Sequence, residues 1–284
     1  MANQNKQQLF DHYRKSAAAA GMSHPEGSLT CPLCWEPTSF DTLSVEHIIP
    51  GSVGGNRVVL TCTTCNNTHG SLYDSHLSQF QKTKDGFNGH GTLPVKLEVL
   101  GKRVTANIEW GDGFKNINIV GEASNPAEVA AMQADAEAGR FGELNLTINY
   151  GYIKNRFQTG LLRCAYLSLY KCFGYEYACT EIVQVLRRRI CDMNQETPRL
   201  GSLIGELRNG AVPYTDPYFI VPGNVNGVQF FMVAIRLKKQ TESYHFVYMP
   251  APSDRSDEFF EMMERCSRDN DGVTLTIPHE LVFT

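Results

Sequence analysis

Two cysteine pairs constrain this chain more than any other feature. Cys31-Pro32-Leu33-Cys34 and Cys62-Thr63-Thr64-Cys65 lie on either side of a 27-residue stretch, residues 35–61. Each C-x-x-C presents two thiolates, and two such pairs make the ligand set of a closed tetrahedral zinc site. Four buried thiols or a redox pair are the competing reading. A single pair would leave that open, but two pairs flanking one compact segment favour zinc. Four thiolates leave no open coordination position, so this zinc is expected to be structural. A module this small lacks the core to stand alone, and metal binding of order ~10 kcal/mol makes up the deficit.

The other five of the nine cysteines (Cys164, Cys172, Cys179, Cys191 and Cys266) are scattered through the C-terminal half. An odd total without a dense framework argues against a disulfide scaffold and for a reducing compartment. Cys164, Cys172, Cys179 and Cys191 sit among apolar residues and are expected to be buried thiols. The N-terminal MANQNKQQLFDHYRK is polar and then amphipathic, without an apolar signal segment. No stretch approaches the roughly 18 apolar residues of a membrane span. The expectation is a cytoplasmic protein with no membrane partner.

Periodicity gives an α+β chain in two parts. A helix is expected over residues 8–20, strand-like pieces at 43–49 and 58–61, and a helix from 63 or 64 to about 82. Residues 83–93, rich in Gly, Asn and Asp, are expected to be a linker. Domains at 1–85 and 93–284 follow. Beyond the linker come strands in PVKLEVL, RVTANIEW and NINIVG, then a helix in NPAEVAAMQADAEAG with an Asn-Pro start and a Gly stop. The strand LNLTINY precedes a very apolar helix at 155–173 and a second helix at about 180–193. YFIVPG, VQFFMVAIRL, YHFVYMP and VTLTIP complete the strands, with a capped helix in SDEFFEMMERC. Tyr166, Tyr170, Phe173, Tyr175 and Tyr177 are expected to be core. The run Arg187-Arg188-Arg189 is expected to be a solvated helix face.

The segment through the second cysteine pair, SVEHIIPGSVGGNRVVLTCTTCNNTHGSLYDSHL, carries the chemistry. An acidic residue and His, two apolar residues and Pro, a Gly-Gly turn, a short apolar strand and C-x-x-C-N resemble the HNH endonuclease family. The resemblance is greatest to the subgroup with two zinc-binding pairs and a helix continuing N-x-x-x-G-x-x-x-D-x-x-L, as in Asn66–Leu77. It covers residues 28–80. It implies a small N-terminal zinc-braced ββα-metal (HNH) domain followed by a larger mixed α+β domain, and phosphodiester hydrolysis of DNA, most simply double-stranded.

In such a site His47 is the general base, since imidazole can take a proton from water near neutral pH. The resemblance further implies that Glu46 and Asn66 hold one divalent cation, with oxygen ligands that suit Mg²⁺ or Mn²⁺. His69 shares a helix face with Asn66 and either completes the metal site or is a partly exposed helix histidine. Asn56 is the candidate for the central asparagine that orients the catalytic His. Arg57 stands at the register where that residue is usually found, so the two compete. Asp74 and His76 are expected to cap and brace the helix.

Net charge is −4, and residues 1–91 hold six Lys/Arg against seven Asp/Glu, so no basic domain announces a nucleic-acid surface. The rival functions are a non-catalytic zinc module that binds nucleic acid or protein, and an RNA-directed nuclease with the same site. The C-terminal part is expected to serve targeting, sensing or partner binding, for example of a regulatory protein or ligand. A role in antiviral defence follows from the nuclease class alone. Elemental analysis of purified protein should find about one tightly held zinc per chain; a value well below that would remove the basis of the N-terminal reading.

Overall fold

The computed structural model describes residues 2–111, 116–120, 125–140, 142–192, 200–207 and 214–268. The strand expected in VTLTIP lies outside them. The chain divides into two compact units. The first combines Met1–Leu77, Ile153–Leu237 and Ser243–Thr284, and the second is Ser78–Tyr152 with Lys238–Glu242.

In chain order the elements begin with helix α1 (Ala2–Ala19), strands β1 (Ser28–Thr30) and β2 (Pro37–Ser39), and strands β3 (Leu43–His47) and β4 (Val58–Cys62). Helix α2 (Thr63–His69) runs through a π-helical turn at Gly70–Asp74 into helix α3 (Ser75–Phe87). Next come β5 (Leu93–Val99), β6 (Lys102–Gly111), β7 (Asn116–Val120), α4 (Pro126–Glu137) and β8 (Leu144–Ile148). The remainder is α5 (Lys154–Ala178), α6 (Glu181–Cys191), α7 (Leu200–Leu203), β9 (Ile204–Glu206), β10 (Tyr218–Val225), β11 (Val228–Lys238), β12 (Glu242–Pro250) and α8 (Phe259–Arg268). An N-terminal module of two short hairpins and a helix is thus followed by a larger α+β region.

The second unit is an antiparallel sheet in the order β7-β6-β5-β8. Strict alternation builds it: Leu93, Val95 and Leu97 of β5 and Val104, Ala106 and Ile108 of β6 are buried on one face, where Val129 and Met132 of α4 cover them. Helix α4 starts as its sequence dictates, with Pro126 in the first turn and the Asn125 side chain accepting the Glu128 N–H. The expected linker is shorter than its composition suggests, because α3 continues to Phe87. There the glycines act as a helix stop: Gly89 is left-handed and the His90 N–H returns to the Asp85 carbonyl.

In the first unit, Phe10, Tyr13 and Ala17 recur every three to four residues and bury one face of α1. Tyr13 stacks on Tyr170 of α5 at 4.6 Å between ring centroids. Tyr166, Tyr170, Tyr175 and Tyr177 of α5 are all buried, as expected of core. Two expectations fail here. Cys172, Cys179 and Cys191 are exposed, and only Cys164 of that group is buried, because α5 and α6 each keep a solvent face within an apolar sequence. Arg187 and Arg189 are buried instead of solvated: Arg187 Nη1 donates to the Leu33 carbonyl at 2.6 Å and Arg189 Nη2 to Asn155 Oδ1 at 3.0 Å. A second sheet, ordered β10-β11-β12-β9, completes the unit.

Helix α5 approaches the π-turn and α3 closely at Gly160, where a Cβ would stand 3.2–3.4 Å from Leu77 and Tyr73 side-chain atoms. Gly160→Val should therefore overpack this contact and cost about 1–3 kcal/mol, read as a lower midpoint in urea. An unchanged midpoint would show that the two helices can part without penalty.

Candidate active site

The four cysteines expected to hold zinc come together as their spacing requires. Sulfurs of Cys31, Cys34, Cys62 and Cys65 all lie within 4.8 Å of one another. Cys34 Sγ and Cys62 Sγ are 3.8 Å apart, the edge that a tetrahedron with Zn–S bonds of about 2.3 Å demands. Backbone amides stabilise sulfurs in the way thiolates need: Cys62 N–H donates to Cys31 Sγ and Cys65 N–H to Cys62 Sγ, both at 3.3 Å. The donor set fits zinc and nothing in it offers an open position for chemistry.

This cluster locks the β3–β4 hairpin beside the first cysteine knuckle. The strands pair antiparallel, with Leu43 opposite Cys62 and His47 opposite Val58. The connection between them is tight. Gly55 N–H reaches the Pro50 carbonyl at 3.1 Å, and a Cβ on Gly55 would collide with the Ile49 carbonyl. Only glycine allows that approach.

Consecutive strand residues face opposite ways, and Glu46 and His47 do so here. His47 is exposed at the end of β3. Glu46 is 2% exposed. Its Oε2 accepts the Thr61 hydroxyl at 2.5 Å and its Oε1 is ion-paired with Arg163 of α5. Arg163 is fully buried and also donates to Asp74 Oδ1 at 2.8 Å. Burial lowers the Arg163 guanidinium to about 10, which leaves it a cation at neutral pH.

The other expected site residues make contacts of their own. Asn66 lies on the Glu46 side of the hairpin and donates from Nδ2 to Ser44 Oγ at 3.0 Å and to the Val45 carbonyl at 3.5 Å. His69 is 4% exposed, and its Nδ1 has no hydrogen-bond partner among the described residues. Burial lowers its pKa to about 4, so the ring is neutral at physiological pH. Asn56 is exposed on the turn before β4. Arg57 pairs with Asp216 at 3.1 Å, both partly exposed. Asp74 braces α5 through Arg163, and His76 Nδ1 accepts the Ile153 N–H at 3.1 Å just before α5. Both act as the structural braces expected of them.

For a divalent ion at Glu46 and Asn66 this donor set does not fit. Both carboxylate oxygens of Glu46 are taken, one by a guanidinium that already supplies the positive charge. Sequence reasoning missed Arg163 and also Lys171, whose Nζ donates at 3.3 Å to the carbonyl of Val58, the cross-strand neighbour of His47. A signal for Arg163 existed. An arginine in the middle of LLRCAYLSLY must be paired if the helix is buried, although its partner cannot be read from the sequence.

Residues 31–81 match the family described as HNH endonuclease, from the first zinc ligand into α3. The N-terminal module is an HNH endonuclease module, and the larger α+β region follows it. The chain matches no curated protein and no solved structure. Among the described residues no helix is long and apolar enough to cross a membrane.

The Glu46–Arg163 pair makes a stability prediction. Removing one partner of a fully buried pair leaves an uncompensated charge, so Arg163→Met should cost about 3–5 kcal/mol in urea unfolding. The double variant Glu46→Gln/Arg163→Met should lose less than the two single changes added together. Additive losses would show that the two side chains do not interact.

Proposed function

We propose that this protein is an endonuclease that hydrolyses phosphodiester bonds in double-stranded DNA, with His47 as general base. The observation that carries the reading is His47 itself. It is an exposed imidazole at the end of a strand fixed by a four-cysteine cluster on one side and a buried ion pair on the other, within a module of the HNH endonuclease family.

The chemistry follows from that placement. A water held by His47 gives its proton to the imidazole while its oxygen attacks phosphorus. The P–O3′ bond breaks, leaving a 5′-phosphate, and the departing 3′ oxygen takes a proton from solvent to become a hydroxyl. Cations near the phosphate would offset its growing negative charge. Arg57 and Lys171 are the candidates, since Lys171 reaches the Val58 carbonyl opposite His47. A phosphate would compete with exposed Asp216 for Arg57. Asn56 is proposed to orient His47 or the substrate from the turn before β4. The residues present do not fit a catalytic Mg²⁺ or Mn²⁺ at Glu46, Asn66 and His69. No step here is routed through it, because Glu46 is committed to Arg163.

A reducing, cytoplasmic setting belongs to this proposal, in keeping with an odd number of cysteines that form no dense framework. A nuclease able to cut its host's DNA needs a gate. Activation by a partner or ligand bound to the C-terminal region, and service in defence against foreign DNA, belong to this proposal.

Nicking of supercoiled plasmid tests it, with Mg²⁺ and Mn²⁺ as added metals. His47→Ala should lower the cleavage rate by on the order of 10²–10⁴ while zinc content and melting temperature stay at wild-type values. Equal cleavage by wild type and His47→Ala would remove His47 from the mechanism. Cleavage of single-stranded or double-stranded RNA in preference to plasmid would move the substrate class to RNA.

A further inference from the structure

The position opposite Glu46 is filled by a side chain from outside the HNH module. Arg163 lies on α5, 82 residues beyond the end of the matched segment (163 − 81). Its burial is complete, and its helix neighbours Leu161, Leu162, Cys164 and Ala165 are buried with it. A guanidinium in that wall cannot swing to solvent as a surface arginine does. It holds Glu46 on one side and Asp74 at 2.8 Å on the other. The second Glu46 oxygen is held by Thr61, and Asn66 is tied by its amide nitrogen to β3. His69 Nδ1 is buried without a hydrogen-bond partner among the described residues.

We propose that Arg163 is the resident cation of the Glu46 site in the free protein. It takes the charge-neutralising place for which the HNH resemblance implies a divalent ion, and Glu46 acts as a positioning residue for β3 and His47 instead of as a metal ligand. The physical reasons are charge and room. A dication beside a fixed guanidinium at ion-pair range is repelled strongly where water is excluded. Mg²⁺ and Mn²⁺ also prefer several water ligands in an octahedral shell, and a carboxylate that is 2% exposed has no space to share with one. A guanidinium needs neither, because its fork of N–H donors matches two carboxylates at once.

The inference goes beyond the nuclease reading and does not depend on cleavage, so the two can fail separately. Its test is Mn²⁺ titration of zinc-loaded full-length protein followed by electron paramagnetic resonance, in which bound Mn²⁺ disappears from the six-line spectrum of the free ion. Wild type, Glu46→Gln and Arg163→Lys should all leave the spectrum at full amplitude. Arg163→Met vacates the cation position between Glu46 and Asp74, and should remove about one equivalent of Mn²⁺. Adding Glu46→Gln to that variant should restore the signal. One equivalent bound by wild type and lost in Glu46→Gln would overturn the proposal. So would a folded Arg163→Met protein, checked by circular dichroism, that binds no more Mn²⁺ than wild type. If Arg163→Met does not fold, the comparison of wild type with Glu46→Gln decides alone.

Discussion

The four-thiolate cluster holds Cys31 and Cys34 against the junction of β4 and α2, and most of the first unit is arranged around that fixed point. A zinc knuckle turns its backbone sharply and leaves carbonyls without strand or helix partners, and buried carbonyls must find donors. Here the donors come from α5 and α6. Tyr166 donates to the Pro32 carbonyl at 2.6 Å, Arg187 and Cys191 to that of Leu33, and Tyr175 to that of Thr30. The Tyr73 hydroxyl makes the return connection to the Ile190 carbonyl at 2.6 Å. The metal-braced module is therefore finished by helices far along the chain. Its fold is not the property of residues 31–81 alone.

The same helices determine what the hairpin can do. Strand alternation places Glu46 inward and His47 outward, a separation of roles built into any extended pair. An inward carboxylate cannot stay charged in an apolar wall without a partner. Arg163 meets that demand and couples it to Asp74 on the π-turn, so the Glu46 charge is offset within the fold while the exposed side carries the imidazole. The π-turn contributes by shifting the helix register between His69 and Ser75, a device common where a helix carries functional side chains. Arg57 and Lys171 lie at the His47 end of the hairpin, where Lys171 donates to the carbonyl of Val58, the cross-strand neighbour of His47.

Several features were legible because they are local. Both cysteine pairs, the alternation of β5 and β6, the Asn-Pro start of α4 and the adjacency of Glu46 to His47 depend on residues a few positions apart, and the structure places each as its pattern implies. Exposure and burial in the C-terminal helices were misread for the opposite reason. Cys172, Cys179 and Cys191 look buried in a window of apolar residues, and Arg187 and Arg189 look solvated in a run of charge. In each case the deciding neighbour lies more than a hundred residues away or on another helix face.

By itself, then, the sequence determined the clustering of the four cysteines, the HNH character of the N-terminal module and the opposite facing of Glu46 and His47, because a tetrahedral thiolate set and a two-residue strand alternation are fixed by spacing. Only the tertiary structure decided which cation faces Glu46. That choice rests on the packing of α5 against the hairpin and the π-turn, where one buried guanidinium satisfies two carboxylates, and no spacing between residues 46, 74 and 163 encodes it.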